Sequence, residues 1–460
     1  MQKILKENCL MKKAMNTPGA IEVQSKLFEK TDKENRHFNH DHLMEKVVAK
    51  DNMTKAYNRV KANKGAPGID KMEVQNLKGV LIKEWETIKS KLLNGTYKPN
   101  PVRRVEIPKP DGGMRQLGIP TVVDRLIQQA VSQVLTPIFD PLFSENSYGF
   151  RPKRSAKQSV KTAQGYILEG HKYVVDIDIE KFFDEVNHDK LIAKLSKTTK
   201  DRNLIVLIRK YLRSGVMING CCVITEEGTP QGGPLSPLLA NIVLDDLDKE
   251  LEKRCHKFVR YADDCNIYVK SKRAGERVLV SISRFIERKL KLRINQDKSG
   301  SDLAWKRKIL GFSFIGDAKM RIKIHSKSIE RFKARIRKLT SRSWGISMEA
   351  RILKLNLYMK GWFEYFKLAE IPRSFEDLDG WIRRRLRACL LKQWKTSQNK
   401  VRMLVKNGLT ISQAWDIGKS RKKYWRLSLT QQLHKAIGKR YWSEVGLISL
   451  AQKYQVDVNI

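Results

Sequence analysis

The chain has 460 residues, 41% of them apolar, and a formal net charge of +42. That length exceeds a single typical domain and suffices to bury two or three cores, while so large a positive excess repels itself unless a polyanion neutralises it. No apolar run approaches the roughly 20 residues of a membrane-spanning helix, and the six cysteines contain no Cys-x-x-Cys pair of the kind that holds zinc.

Residues 1–40 are polar, and Lys3, Lys6, Lys12 and Lys13 interrupt the apolar residues, so no signal peptide is expected and the stretch is predicted to be disordered. Leu43, Val47, Val48, Tyr57 and Val60 predict one or two helices before the turn-forming NKGAPGID. PKPDGGMR, Pro108 to Arg115, predicts a β-hairpin, and DRLIQQAVSQVL from Asp124 a helix. YVVDIDIEKFFD, Tyr173 to Asp184, opens as a buried strand. GTPQGGPLSPLLAN, Gly228 to Asn241, is a Pro/Gly loop running into a helix after Pro237. FVRYADDCNIYV, Phe258 to Val269, reads as strand, tight turn and strand with Asp263 and Asp264 at the tip. From His325 to Trp394 two helical stripes follow: Ile329, Phe332, Ile336, Leu339 and then Leu355, Tyr358, Trp362, Phe366. A third helix, LDGWIRRRLRACLLKQW, carries Arg383, Arg384, Arg385 and Arg387, and KSRKKYWR at Lys419 to Arg426 mixes charge with aromatics. Between Arg321 and Arg440 lysine and arginine outnumber acids by 31 to 8, so the polyanion is expected to meet this part of the chain.

The acidic segments carry the chemistry. Adjacent ionised carboxylates such as Asp263 and Asp264 repel, and a divalent cation that prefers oxygen ligands, such as Mg²⁺, offsets the repulsion. An ordinary solvated turn explains that pair equally well, since Asp is a common turn former. The strand at Tyr173 weighs against it. Its two-residue period puts Asp176 and Asp178 on one face, among Val174, Val175, Ile177 and Ile179, where idle carboxylates are costly. Phosphoryl transfer by two metals needs carboxylates from separate elements converging on ions about 4 Å apart.

In order and separation these two segments resemble motifs A and C of reverse transcriptases. GTPQGGPLSPLLAN resembles motif B in its group II intron form, and GFRPKRSA at Gly149 to Ala156 matches a further block. RRVEIPKPDGGMRQLGIPTVVDRLIQQA resembles the fingers segment, LKLRINQDKS and LGFSF the motif D and primer-grip blocks, and the basic helical tail the thumb or maturase domain. The likeness to bacterial group II intron-encoded reverse transcriptases runs from about Lys61 to about Trp394. It implies an α+β right-hand polymerase: an N-terminal arm over 1–40, fingers and an antiparallel-sheet palm over 41–318, a helical thumb or maturase domain over 319–394, and a short basic nucleic-acid-binding region over 395–460.

By the same resemblance Asp178 and Asp263 hold two Mg²⁺ ions and Asp264 completes the triad. The Ile179 carbonyl reaches a metal, and Asp176 is a structural acid. Lys109 and Arg115 grip the triphosphate of the incoming deoxynucleotide, Arg115 with bidentate geometry, and Gln231 contacts the nucleotide. Phe183 lies beneath its sugar and excludes a 2′-hydroxyl, plain packing beside Phe182 being the other reading of that ring. Lys298 matches a lysine that protonates the leaving pyrophosphate, and Leu310, Gly311 and Phe312 form the primer grip. Arg383, Arg384, Arg385 and Arg387 are expected to track phosphates, with Lys422 and Lys423 contacting DNA or intron RNA.

The expected activity is DNA synthesis on an RNA template. Joined to it is maturase action, in which the protein binds its intron RNA to aid splicing and copies it at a nicked or single-stranded DNA target. The expected place is the bacterial cytoplasm, at the nucleoid when on target DNA. Nothing after Trp394 resembles a metal-dependent endonuclease, so second-strand cleavage is not expected. Two rivals are a related polymerase recruited to repair or phage defence, and a non-catalytic RNA-binding splicing factor, against which intact Asp178, Asp263 and Asp264 speak.

Overall fold

The computed structural model describes residues 42–108, 112–180, 182–218, 221–223 and 232–458. The N-terminal arm, Lys109 and Gln231 lie outside the described residues. The chain divides into two units, with the boundary after Leu303.

In the first unit, helices α1 (Leu43–Val48), α2 (Lys50–Asn63) and α3 (Leu77–Leu93) precede a hairpin of β1 (Val102–Pro108) and β2 (Met114–Ile119). Pro108 pairs with Met114 and Ile107 with Arg115, so β1 and β2 are antiparallel neighbours on either side of the Pro-Asp-Gly-Gly sequence. Helix α4 (Val122–Phe139) follows, capped by Thr121, whose hydroxyl accepts the Asp124 N–H at 3.2 Å. Its face of Leu126, Ile127, Ala130, Val131 and Leu135 is buried, in part against α1 and α2. Asp124 is buried too. It accepts from Thr121 Oγ1 at 2.7 Å and Tyr97 OH at 2.9 Å, and burial raises its pKa against the lowering effect of those bonds.

Helix α5 (Ala156–Leu168), β3 (Tyr173–Ile177), α6 (Phe182–Glu185), α7 (His188–Thr198), α8 (Arg202–Leu212), β4 (Val216–Ile218) and β5 (Cys221–Val223) come next. Then come α9 (Ser236–Lys253), β6 (Lys257–Tyr261), β7 (Asp264–Val269), α10 (Lys272–Phe285) and β8 (Gly300–Leu303). One sheet has the order β2-β1-β4-β5, with β1 and β4 parallel. The other has the order β6-β7-β3-β8 and is antiparallel throughout. The period-2 alternation sends Val175, Ile177, Cys265 and Ile267 into the core. Helix α10 packs across β3, β7 and β8.

The second unit opens with a small hairpin, β9 (Phe312–Phe314) and β10 (Ile322–Ile324), and continues into α11 (Ser326–Leu339), α12 (Met348–Phe366) and α13 (Pro372–Gln393). The expected stripe of α11 is buried at Phe332, Ile336 and Leu339. In α12 the most buried line is Leu355, Met359, Phe363 and Phe366, with Tyr358 and Trp362 half-buried beside it. Phe363 and Phe375 meet edge to face at 5.6 Å, and Phe332 packs on Trp362 at 4.3 Å. Six shorter helices follow: α14 (Ser397–Lys406), α15 (Ile411–Gly418), α16 (Tyr424–Leu427), α17 (Gln431–Ala436), α18 (Lys439–Glu444) and α19 (Leu450–Val458). No helix among the described residues is long and apolar enough to cross a membrane.

The arginines of α13 need a correction. Arg387 is buried, not aligned for phosphate: its Nε donates to Ser428 O at 2.8 Å, its Nη1 to Ile437 O at 3.4 Å, and Nη2 meets His434 Nε2 at 2.9 Å. Burial, with Arg383 and Arg384 nearby, pushes its pKa down to about 10. Arg385 donates to Thr340 Oγ1 at 2.5 Å and Thr340 O at 3.3 Å, at the end of α11. The Arg384 guanidinium lies over the Trp425 ring at 3.8 Å. These three side chains hold the unit together. Arg383 instead lines a surface cleft of about 530 Å³ shared with Lys439 and Arg440, and Lys422 and Lys423 are exposed. Replacing Arg387 by Met should strand the Ser428 and Ile437 carbonyls and lower the unfolding free energy by about 2 kcal/mol. Urea unfolding checks this, and a change under about 0.5 kcal/mol would show that the guanidinium is dispensable there.

Candidate polymerase active site

Both acidic segments end at the same edge of the antiparallel sheet. β3 and β7 are its two central strands, and Ile177 lies opposite Cys265. The flanking residues, Asp178 and Asp264, therefore leave the ladder at the same end. Asp263 sits beside Asp264 in the two-residue turn between β6 and β7, closed by the pairing of Tyr261 with Asp264. Asp178 and Asp263 are half-buried and Asp264 is exposed. Asp176 faces the same side as Asp178 and accepts the Asn266 Nδ2–H at 3.0 Å, so it is engaged within the sheet.

Asp178 is held by its main chain. Its N–H donates to Ser299 Oγ at 3.0 Å, and its carbonyl accepts the Asn295 N–H at 2.9 Å. Ile179 bridges to Ile294, and the Glu180 N–H donates to Arg293 O at 2.8 Å. The NQDKS segment thus runs alongside the end of β3, and it brings the Lys298 ammonium to 3.5 Å from Asp178 Oδ2. Phe183, on α6, is half-buried with its ring edge-on to Phe182 at 5.2 Å.

The turn bearing Asp263 is fixed by residues to which the sequence analysis gave no role of their own. Arg260, on β6, has no solvent exposure. Its Nε and Nη2 bind the two Asp248 carboxylate oxygens at 2.6 and 2.5 Å, its Nη1 donates to Ala262 O at 2.9 Å and Asn241 Oδ1 at 3.0 Å, and its Nη2 donates to Ser147 Oγ at 2.8 Å. Asn241 in turn donates to Gly149 O at 2.9 Å. The GFRP segment lies so close beneath the turn that a Cβ on Gly149 would stand 2.3 Å from Ala262 N. Ala262 itself takes φ 58°, the positive value a two-residue hairpin turn demands and a non-glycine residue adopts at a cost. A charged residue in an apolar strand beside the acidic pair was the available signal for Arg260. Its partners, on α9 and in the loop at Ser147, are not deducible from spacing.

The motif B glycines pack closely as well. Gly232, at φ 121°, has room for no Cβ against Gly118 O, which would lie at 2.8 Å, and Gly233 lies against the buried Gln128 of α4. Helix α9 begins at Ser236, so that Pro237, after which the helix was expected, lies in its first turn. Arg115 lies on β2 opposite Ile107. In the second unit, Ile309 and Phe312 exchange main-chain hydrogen bonds of 3.0 and 2.8 Å around Leu310 and Gly311, whose φ values are 48° and 86°. Phe312 is buried against Phe366 at 5.1 Å, and the Tyr365 hydroxyl donates to Leu310 O at 2.9 Å. Burial first, then Lys308, Lys327, Lys323 and Arg331, lower the pKa of His325 next to this turn, which marks the surface there as strongly positive.

Three acidic residues thus stand at neighbouring strand ends, with the Lys298 ammonium against Asp178. Among the described residues no three His, Cys, Asp or Glu side chains gather as a metal-holding group.

Carboxylates at the ends of paired strands of an antiparallel sheet are the arrangement that a palm-type nucleotidyl-transfer site would need. Two families match the chain: "Reverse transcriptase (RNA-dependent DNA polymerase)" over residues 107–314 and "Group II intron, maturase-specific domain" over residues 329–407. The chain is 32% identical over 278 residues to Protein YkfC of Escherichia coli (strain K12), covering 52% of this chain and 73% of that one. It is 41% identical over 206 residues to the group II intron-encoded protein LtrA of Lactococcus lactis subsp. cremoris, covering 45% of this chain and 34% of LtrA. A chain of a solved partial Cas6-RT-Cas1–Cas2 complex is 28% identical over 54% of this chain and 42% of its own, at a TM-score of 0.35. The protein belongs to the family of group II intron-encoded reverse transcriptases, RNA-dependent DNA polymerases joined to a maturase-specific domain.

Gly149→Ala should force the Asp263 turn outward, because the new Cβ meets backbone rather than a movable side chain. The expected result is a fall in unfolding free energy of about 1–3 kcal/mol. Gly79→Ala, on the open face of α3 where a Cβ meets nothing within 4 Å, is the control and should be neutral or stabilising. Equal thermal stability of the two variants would contradict the close packing of Gly149.

Proposed function

We propose that the chain copies RNA into DNA with Asp178 and Asp263 holding two Mg²⁺ ions and Asp264 completing the acidic set, helped by the Ile179 carbonyl. The observation that carries this reading is the emergence of Asp178 and Asp264 from the same end of paired central strands, with Asp263 in the adjoining turn. When bound, the cations would supply the charge that lowers the pKa of a primer 3′-hydroxyl and takes up the leaving pyrophosphate. Lys109, Arg115 and Gln231 serve the triphosphate and base of the incoming deoxynucleotide, Phe183 bars a 2′-hydroxyl, and Lys298 stands ready as proton donor to the pyrophosphate. Leu310, Gly311 and Phe312 hold the primer strand on the positively charged surface around His325.

We further infer that the maturase-specific domain and the basic helices after it bind the RNA of a group II intron, and that this RNA is both the splicing partner and the template. The excess of cations over acids between Arg321 and Arg440 supports a polyanionic partner. Since Arg384, Arg385 and Arg387 are occupied within the fold, the phosphate contacts fall to exposed cations such as Lys422 and Lys423 and to the cleft of Arg383, Lys439 and Arg440. The protein then works where intron RNA and target DNA meet, away from membranes.

Primer extension on an RNA template with Mg²⁺ and deoxynucleotides tests the site. Asp263→Asn should cut product formation by about a hundredfold or more while RNA affinity is kept. Tight RNA binding with no extension by the wild type would leave a splicing factor without polymerase activity. The same assay with ribonucleotides tests Phe183: the Ala variant should incorporate them about tenfold more readily, and unchanged discrimination would return that ring to plain packing against Phe182.

A further inference from the structure

Phe150 is the one residue of the GFRP segment whose conformation the fold does not reward. Its φ is 56°, in the region that favours glycine, and its ring is 59% exposed although it is the largest apolar side chain in the loop. Its neighbours allow it no relaxation. On one side Gly149 is pressed against Ala262 N and held by Asn241. On the other, Arg151 is buried, with Nε on Asp140 Oδ1 at 2.7 Å, Nη2 on Asp140 O at 2.8 Å and Nη1 on Ser147 O at 2.9 Å. The Phe150 ring is thereby set beside Tyr261, ring centroids 6.3 Å apart and tilted by 43°, two residues before Asp263. A strained backbone presenting an exposed apolar ring next to reacting groups is what a substrate contact requires.

We propose that Phe150 is a substrate-contact residue that packs against the sugar and base of the primer's terminal nucleotide. The inference rests on the polymerase reading of the Asp263 site. The ring has no polar atom for a phosphate, and base or sugar contact with an aromatic face tolerates any sequence, as a polymerase must. Position follows from the turn: chemistry at Asp263 brings the primer end to the Tyr261–Asp264 hairpin, and Phe150 flanks that hairpin on its Tyr261 side.

The test uses the full chain, comparing wild type, Asp263→Asn, Phe150→Gly and Phe150→Trp. Glycine adopts φ 56° without cost, so Phe150→Gly should keep or raise the thermal midpoint while slowing extension about tenfold or more, and Phe150→Trp should stay within about threefold of wild type. A primer carrying 4-thiothymidine at its 3′ end should photocrosslink to Phe150 of the wild type. A lowered midpoint in Phe150→Gly would make the ring a packing element, and wild-type extension by that variant, or a crosslink mapping elsewhere, would also overturn the assignment. These outcomes differ from failure of the polymerase reading, in which wild type and Asp263→Asn would be equally inactive.

Discussion

The buried pair of Arg260 and Asp248 is the contact on which the site depends. Removing a guanidinium and a carboxylate from water costs several kcal/mol for each ion. Here the cost is offset because both Asp248 oxygens are engaged and the remaining guanidinium donors reach Ala262 O, Asn241 and Ser147. A hydrophobic replacement of similar volume would remove the guanidinium donor from the Ala262 carbonyl and from Asn241 Oδ1. The geometry joins the loop at Ser147, helix α9 and the β6–β7 turn into one body. Since Gly149 leans on the same turn, the aspartate tip has support from below and from both sides, as a site built to tolerances of about half an ångström needs.

Asp178 is positioned by a different device. Its main-chain N–H and carbonyl are both taken by the segment at Asn295 and Ser299, which extends the sheet past the end of β3. The backbone of Asp178 is therefore tied on both its N–H and its carbonyl. Lys298 comes from the same segment, so the residue that fixes the aspartate and the residue that balances its charge move together.

The strands that carry the acidic residues were legible because their signal is local. A two-residue period of apolar side chains is interrupted by carboxylates on one face at Asp176 and Asp178, and a turn-forming pair stands at Asp263 and Asp264. The hairpin at Pro108 to Met114 and the stripe of α11 were legible for the same reason. What spacing could not reveal is which charge turns inward. Arg260 and Asp248 read as an ordinary basic and an ordinary acidic residue, and only the packing of α9 on β6 makes them a pair. The four arginines of α13 show the same limit: a run that reads as a solvated, phosphate-tracking face has Arg387 buried within the unit.

The use of those arginines has a physical cause in the helices that follow. α14 to α19 run from four to ten residues, below the length at which an isolated helix holds in water, and each ends with carbonyls that no intrahelical N–H can satisfy. Arg387 supplies donors at Ser428, the end of α16, and at Ile437, the end of α17, while Arg385 does so at Thr340, the end of α11. Arg351 repeats the solution from α12, donating to Leu339 O at 2.8 Å, Ser341 O at 3.1 Å and Trp344 O at 3.1 Å. Cations at helix C-termini also meet the negative end of the helix dipole. One long helix thus reaches the ends of two short ones, α16 and α17, through Arg387, and the residues after Trp394 belong to the same unit as the thumb-like helices. Arg351, Arg384, Arg385 and Arg387 are thus spent within the unit, so the count of 31 cations between Arg321 and Arg440 somewhat exceeds the number that a polyanion can meet.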